Sequence, residues 1–305
     1  MEELLAQSIE AAKRASVIKP ASIKRVIVDT TVMAKAIAPP TDSALLEKSR
    51  ILLVKAARQY GLSLRQNYNR LAPCLVRQVA QYAHARQFKR MRRALRALRS
   101  RVGRVQRDIE RQLQRVPLEA RERLGRTRRI LLQRPKDKNK LYALHAPEVE
   151  CISKGKARVR YEFGVKVSIV TTLKEGLVVG ARSMPGNPYD GHTLHEALEQ
   201  AAILSEVEPE MVFVDRGYKG VEVDHVQIWR SGQKRGVTRG LKAMIRRRSA
   251  IGPTIGHMKS DGKLDRNWLK GALGDALNAV LCGAGHNIRL IINKLRANSS
   301  KAIAY

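Results

Sequence analysis

Residues 25–32 read RVIVDTTV, and this stretch decides the fold. It is a β-branched run with one acid, Asp29, in its middle, which is the pattern of a short buried strand. A carboxylate inside such a strand needs a reason, because an unpaired buried charge is costly. Residues 211–215, MVFVD, form a second run of the same kind that ends in Asp215 and is followed by Arg216, Gly217 and Tyr218. If the two strands lie parallel and adjacent, their carboxylates come close together. Like charges repel there unless a cation sits between them, and hard oxygen ligands suit Mg²⁺ or Mn²⁺. Two such ions activate water and stabilise the leaving 3′-oxygen in phosphodiester cleavage. The plainer reading of either aspartate alone is a turn or strand-end residue.

Outward from these strands the pattern changes period. Residues 1–20 predict a short helix, apolar at Leu4, Leu5, Ile9 and Ala12 and ended near Pro20. From about Thr41 to Arg134 the pattern is helical. Phe88, Met91, Leu95, Leu98, Val102, Val105 and Ile109 recur at alternating spacings of three and four, a heptad seam. The other faces carry Arg86, Lys89, Arg90, Arg92, Arg93, Arg96 and Arg99, with no acid before Asp108. A solvated helix packed through its seam explains the apolar stripe. It does not explain the unbalanced charge, which points to phosphate-backbone binding. Residues 134–140 (RPKDKNK) read as a linker. Residues 158–172 and 176–183 alternate with period two and predict a hairpin. A Pro/Gly/Asn loop, a helix from His192 to about Glu206, the MVFVD strand, a helix near 243–251 and a helical region at about 268–295 follow. The whole reads as a mixed α/β core with a helical insertion.

With 59 Lys+Arg against 27 Asp+Glu, the formal net charge is +32, so the chain self-repels unless a polyanion neutralises it. Nucleic acid is the first partner to consider, ahead of a ribosomal or membrane surface or a merely basic enzyme. Aromatic residues at 4% argue against a base-stacking single-strand binder. Cys74, Cys151 and Cys282 are scattered and odd in number, which fits no disulfide framework and suggests a reducing cytosol. No apolar run nears the roughly 20 residues that span a bilayer. The acidic start, Met1-Glu2-Glu3, is unlike a secretory signal. A cytoplasmic, nucleoid-associated protein with no membrane partner is expected.

The runs VIVDTTV, KAIAPPTDSALLEKSR, YAHARQFKRMRRALRALR, LHAPEVECISKGKARVRYEFGVKVS, GHTL, VFVDRGYKG and RRRSAIGPTIGHMKSDGKLDRNWLKG resemble the DDE transposases of bacterial insertion sequences. The nearest group is the family named after insertion sequence five, and the likeness runs from about Lys24 to Arg296. The resemblance implies an RNase H-like mixed sheet flanked by helices, with a long basic helical insertion after the first strand. It implies DNA transposition: metal-dependent cleavage and strand transfer at terminal inverted repeats, with Mg²⁺ or Mn²⁺ in a two-metal site. The partners are then double-stranded DNA, as element ends and target, and further copies of the chain assembled on it. Asp29 and Asp215 match the family's two aspartates and become the metal ligands. The third acid belongs to a pattern Tyr-x2-Arg-x3-Glu-x6-Lys. Arg248 and Lys259 hold the Arg and Lys places, positioning phosphates, whereas Ile245 holds the Tyr place and Gly252 the Glu place.

Glycine supplies no ligand oxygen and weakens a helix by roughly 1 kcal/mol relative to alanine. With Pro253 next, a distorted helix start is expected. Asp261 and Asp265 lie roughly two to four turns beyond, too far to replace the missing acid without rearrangement. Family members also carry a further helical domain before the first strand, so residues 1–23 read as its remnant. The organisation expected is residues 24–40 as the first core strand, 41–140 as the basic insertion and 141–305 as the rest of the catalytic core. An impaired transposase is the first reading, and a DNA-binding remnant, acting as an inhibitory subunit, is the second. A basic RNA-binding protein is a third, with no preference for element ends. His192 and His195, with Glu196, are read as helix-start residues rather than a metal pair. The loop 187–192 is expected near the active site.

Overall fold

The RVIVDTTV run extends to Ala34 and forms strand β1 (Arg25–Ala34) in the computed structural model, which describes residues 2–153 and 160–303. The chain divides into two compact units, one joining the chain up to Ala36 with the chain from Cys151 onward, the other formed by Ile37–Glu150. In the first unit α1 (Glu3–Arg14) buries Leu5, Ile9 and Ala12, as their spacing predicts, while Leu4 faces out. The short α2 (Pro20–Ile23) leads into β1.

The second unit is helical: α3 (Asp42–Gln59), α4 (Leu71–His84), α5 (Phe88–Glu110) and α6 (Leu118–Leu132). Thr41 caps α3 by accepting from the Ala44 N–H. Four of the seven α5 seam residues, Leu98, Val102, Val105 and Ile109, enter a core with Leu46, Leu53 and Leu124. The seam is therefore satisfied within its own unit from Leu95 onward, while Phe88 at its start is 52% exposed and Met91 is half-buried.

The remaining elements belong to the sheet unit: β2 (Glu150–Ile152), β3 (Glu162–Thr172), β4 (Val178–Met184), α7 (Leu194–Ser205), β5 (Met211–Val214), β6 (Gln227–Arg230), α8 (Arg239–Arg247), α9 (Ile251–Ser260) and α10 (Gly271–Ile303). The expected hairpin is β3–β4, paired antiparallel from Lys166↔Met184 to Thr171↔Val178. Its expected first residues, Arg158 and Val159, lie outside the described residues. β1 is central, antiparallel to β3 and parallel to β5, and β5 is parallel to β6. The order is β2-β3-β1-β5-β6, with β4 also on β3. This mixed sheet with flanking helices is compatible with an RNase H-like fold.

The two sides of β1 and β5 differ by alternation. Val26, Val28, Val212 and Val214 join the large core that includes α1, α7 and α10 residues. Ile27 and Phe213 join Leu241, Ile245 and Ile251 of α8 and α9 on the other side. That difference of one residue decides where the two aspartates point.

Candidate active site

Asp29 lies midway along β1, and Asp215 is the first residue past β5. Their strands pair Ile27 with Phe213, so continuing the parallel register by two residues sets Asp29 opposite Asp215. Adjacent strands are about 4.8 Å apart, and both residues share the side of Ile27 and Phe213. That side faces α8 and α9, and between them a 3₁₀ turn, Arg248–Ala250, supplies Arg248. Arg248 Nη2 donates to Asp29 Oδ2 at 2.7 Å and stands 3.8 Å from Asp215 Oδ2. One guanidinium thus serves both carboxylates, as the cation that two facing acids require.

The backbone fixes each acid further. Asp29 Oδ1 accepts from the Thr30 N–H at 2.8 Å. Asp215 caps the 3₁₀ turn Arg216–Tyr218, accepting from the Gly217 N–H at 2.8 Å. A Cβ at Gly217 would fall 2.9 Å from Asp215 Oδ1, so the turn admits only glycine without moving the carboxylate. Tyr218 is fully buried, and burial, followed by the charges of Asp29, Asp190 and Asp215, holds its phenol proton on well above the usual range.

Asp190 is the residue that the sequence reading missed. It opens the 3₁₀ turn Asp190–Thr193 in the loop expected near the site. Its Oδ1 accepts from Thr30 Oγ1 at 2.9 Å and from Lys166 Nζ at 2.8 Å, and Lys166 also donates to the Pro188 carbonyl at 2.5 Å. A Cβ on Gly217 would lie 3.6 Å from Asp190 Oδ2, which sets this third carboxylate beside the Asp215 turn. The available signals were a lysine within an apolar strand and an acid among Pro, Gly and Asn.

Gly252 is the second residue of α9, one turn beyond Arg248, and a Cβ there meets nothing within 4 Å. Pro253 has no N–H to continue the helical ladder, and the chain passes it as a tightened 3₁₀ turn followed by α9. Lys259 lies two turns further along α9, where its Nζ is 3.8 Å from Glu162 Oε1. Asp261 is engaged by Ser260 Oγ at 2.7 Å and His257 Nδ1 at 3.0 Å. His192 meets the Tyr189 ring edge-on at 5.5 Å. Among the described residues, no group of three or more His, Cys, Asp or Glu side chains forms a metal-binding cluster.

In the helical unit, Arg86, Lys89, Arg90, Arg92, Arg93 and Arg96 are exposed. Arg99 is not on that open face: its Nη1 donates to the Leu131 carbonyl at 2.7 Å and the Gln133 carbonyl at 3.2 Å, capping the end of α6.

Residues 133–272 match the family model described as the transposase DDE domain. The match supports a DDE transposase. It takes in Asp190, Asp215, Arg248, Gly252 and Lys259, and Asp29 lies before it. An uncharacterized protein, ORF8 in the nfe locus of Rhizobium meliloti, is 51% identical over 88 residues, which are 29% of this chain and 42% of that protein. The chain thus spans less than half the length of this relative. No solved structure matches. DDE transposases generally use divalent metals, but among the described residues no three His, Cys, Asp or Glu side chains complete such a site. Two facing carboxylates share a guanidinium, and the position one turn beyond it is a glycine. No helix among the described residues is long and apolar enough to cross a membrane.

Proposed function

We propose that this chain is an insertion-sequence transposase of the insertion sequence five type, acting on double-stranded DNA at terminal inverted repeats and impaired in catalysis. The observation that carries the reading is the pairing of Asp29 and Asp215 across parallel strands with Arg248 on both. Gly252 lies one turn further along the same helical stretch, so it is the place from which a third acid would come. The open space at Gly252 favours impairment by a missing side chain over collapse of the site. The domain reading has residues 24–40 and 141–305 as the catalytic core and residues 41–140 as a basic insertion, with borders a few residues from those of the compact units, at 36/37 and 150/151. The exposed residues Arg86, Lys89, Arg90, Arg92, Arg93 and Arg96 engage the DNA backbone, with Lys259 available to a phosphate once it leaves Glu162.

The experiment is Mn²⁺-dependent nicking of DNA carrying the element's ends, by the chain and by Gly252→Glu. Cutting by the substituted chain alone is expected, since the two aspartates are already in place. Cutting by neither, with the ends still bound, favours the second reading, a DNA-binding protein without catalysis that acts as an inhibitory subunit. That reading draws on the same absent carboxylate. Cutting by both rejects the impairment.

A further inference from the structure

We propose that Arg248 is the resident counter-cation of the Asp29–Asp215 pair and closes it to divalent metal. This deepens the reading above and rests on its assignment of the two aspartates. The guanidinium reaches both carboxylates, at 2.7 Å and 3.8 Å, from a turn fixed by α8 on one side and α9 on the other. The neighbouring Arg247 is held separately, donating to the carbonyls of Leu173 at 2.9 Å and Lys174 at 2.6 Å. That anchors the turn and leaves Arg248 directed at the acids.

An arginine is charged at every pH the fold survives, and its weakly hydrated guanidinium suits a site only partly open to water. The three side chains are 19%, 24% and 37% exposed. A metal ion entering the same space would meet a fixed positive charge at contact distance. Even at the effective dielectric of a protein surface, that repulsion lowers cation affinity by about a thousandfold or more. Gly252 completes the arrangement by omission. A glutamate there would sit four residues from Arg248 on the same helical stretch, the spacing of an ion pair, and would compete for the guanidinium. With glycine, Arg248 has the two aspartates as its acidic partners among the ion pairs formed here.

The test is Mn²⁺ binding to the DNA-free chain, read as loss of the free-ion electron paramagnetic resonance signal. The wild-type chain, Asp29→Asn, Arg248→Gln and Arg248→Gln/Asp29→Asn are compared. Wild type and Asp29→Asn are expected to bind alike and weakly. Arg248→Gln is expected to gain a site at least about tenfold tighter, lost again on adding Asp29→Asn. Asp29-dependent binding in the wild type overturns the proposal, and so does an Arg248→Gln chain that folds and gains nothing. If Arg248→Gln does not fold, replacing both aspartates by asparagine in that background must restore the fold. A chain that stays unfolded shows that Arg248 holds something other than these charges, which also overturns the proposal. DNA binding, measured separately by gel shift, reports on the transposase reading. A chain that binds no DNA yet gains metal on losing Arg248 keeps this inference and loses that one.

Discussion

Replacing Lys166 with methionine tests whether the Asp190 loop is tied to the sheet by charge. Methionine keeps the unbranched bulk and removes only the ammonium. Lys166 is 8% exposed and donates to Asp190 at 2.8 Å and to the Pro188 carbonyl at 2.5 Å. Breaking a fully buried pair from one side costs about 3–5 kcal/mol. Asp190 is 29% exposed and keeps its bond from Thr30, so water and that hydroxyl offset part of the loss. A cost of about 1.5–3 kcal/mol remains, which lowers the melting temperature by about 4–10 °C for a domain of this size. Both tryptophans, Trp229 and Trp268, lie in the sheet unit, so tryptophan fluorescence during urea unfolding follows that unit alone. Lys166→Met, Asp190→Asn and the double variant complete a cycle, with a coupling of at least about 1 kcal/mol expected. Single costs that simply add, or a Lys166→Met chain within about 0.5 kcal/mol of wild type, would refute the tie.

Three further outcomes follow from the geometry. Changing Arg86, Arg90 and Arg93 together to glutamine should weaken duplex binding at every sequence and lower the salt slope by about 3, measured by fluorescence anisotropy; an unchanged slope places the DNA elsewhere. His286 Nε2 donates to the Gly176 carbonyl at 3.2 Å, and burial pulls its pKa below the ordinary 6.5, against the opposing effect of that carbonyl. The unfolded chain therefore takes up this proton first, stability falls as the pH drops from 6.5 through the folded value, and His286→Gln should flatten that stretch of a stability–pH curve. Gly164→Ala drives a Cβ into the Met33 carbonyl and the Ala34 backbone of β1, so it should cost about 1–3 kcal/mol or more in the same fluorescence assay.

The parts of the fold that were legible in the sequence are those with strong local periodicity. β1, the β3–β4 hairpin, α5 and α7 each carry enough alternating or helical repeats to stand out. β6 does not, because Gln227–Arg230 is short and carries polar ends, and its pairing with β5 is what makes it a strand. α8 begins at Arg239, earlier than its apolar residues suggest, because Thr238 accepts from the Leu241 N–H and starts the helix there. At the site, Asp29 and Asp215 were legible as acids in apolar strands. Asp190 was not, since its role arises from Lys166 and Thr30, residues more than 20 positions away along the chain. Arg248 was read as a phosphate ligand; without coordinates nothing in its neighbours reveals that it faces two carboxylates.

The central position of β1 governs the timing of folding. Its partners begin at Glu162 and Met211, beyond the whole of Ile37–Glu150, and Asp29 meets Arg248 across 219 residues of chain. At ribosomal speeds of about 5–20 residues per second, the first strand waits roughly 10–40 seconds for its parallel neighbour. Until β3 is made, an apolar strand has both edges unpaired, and one edge stays open until β5 follows, a template for other nascent chains. The helical unit, with its local contacts, is complete by then, so the step most exposed to aggregation in this protein is the closing of the sheet, which is also the step that creates the site.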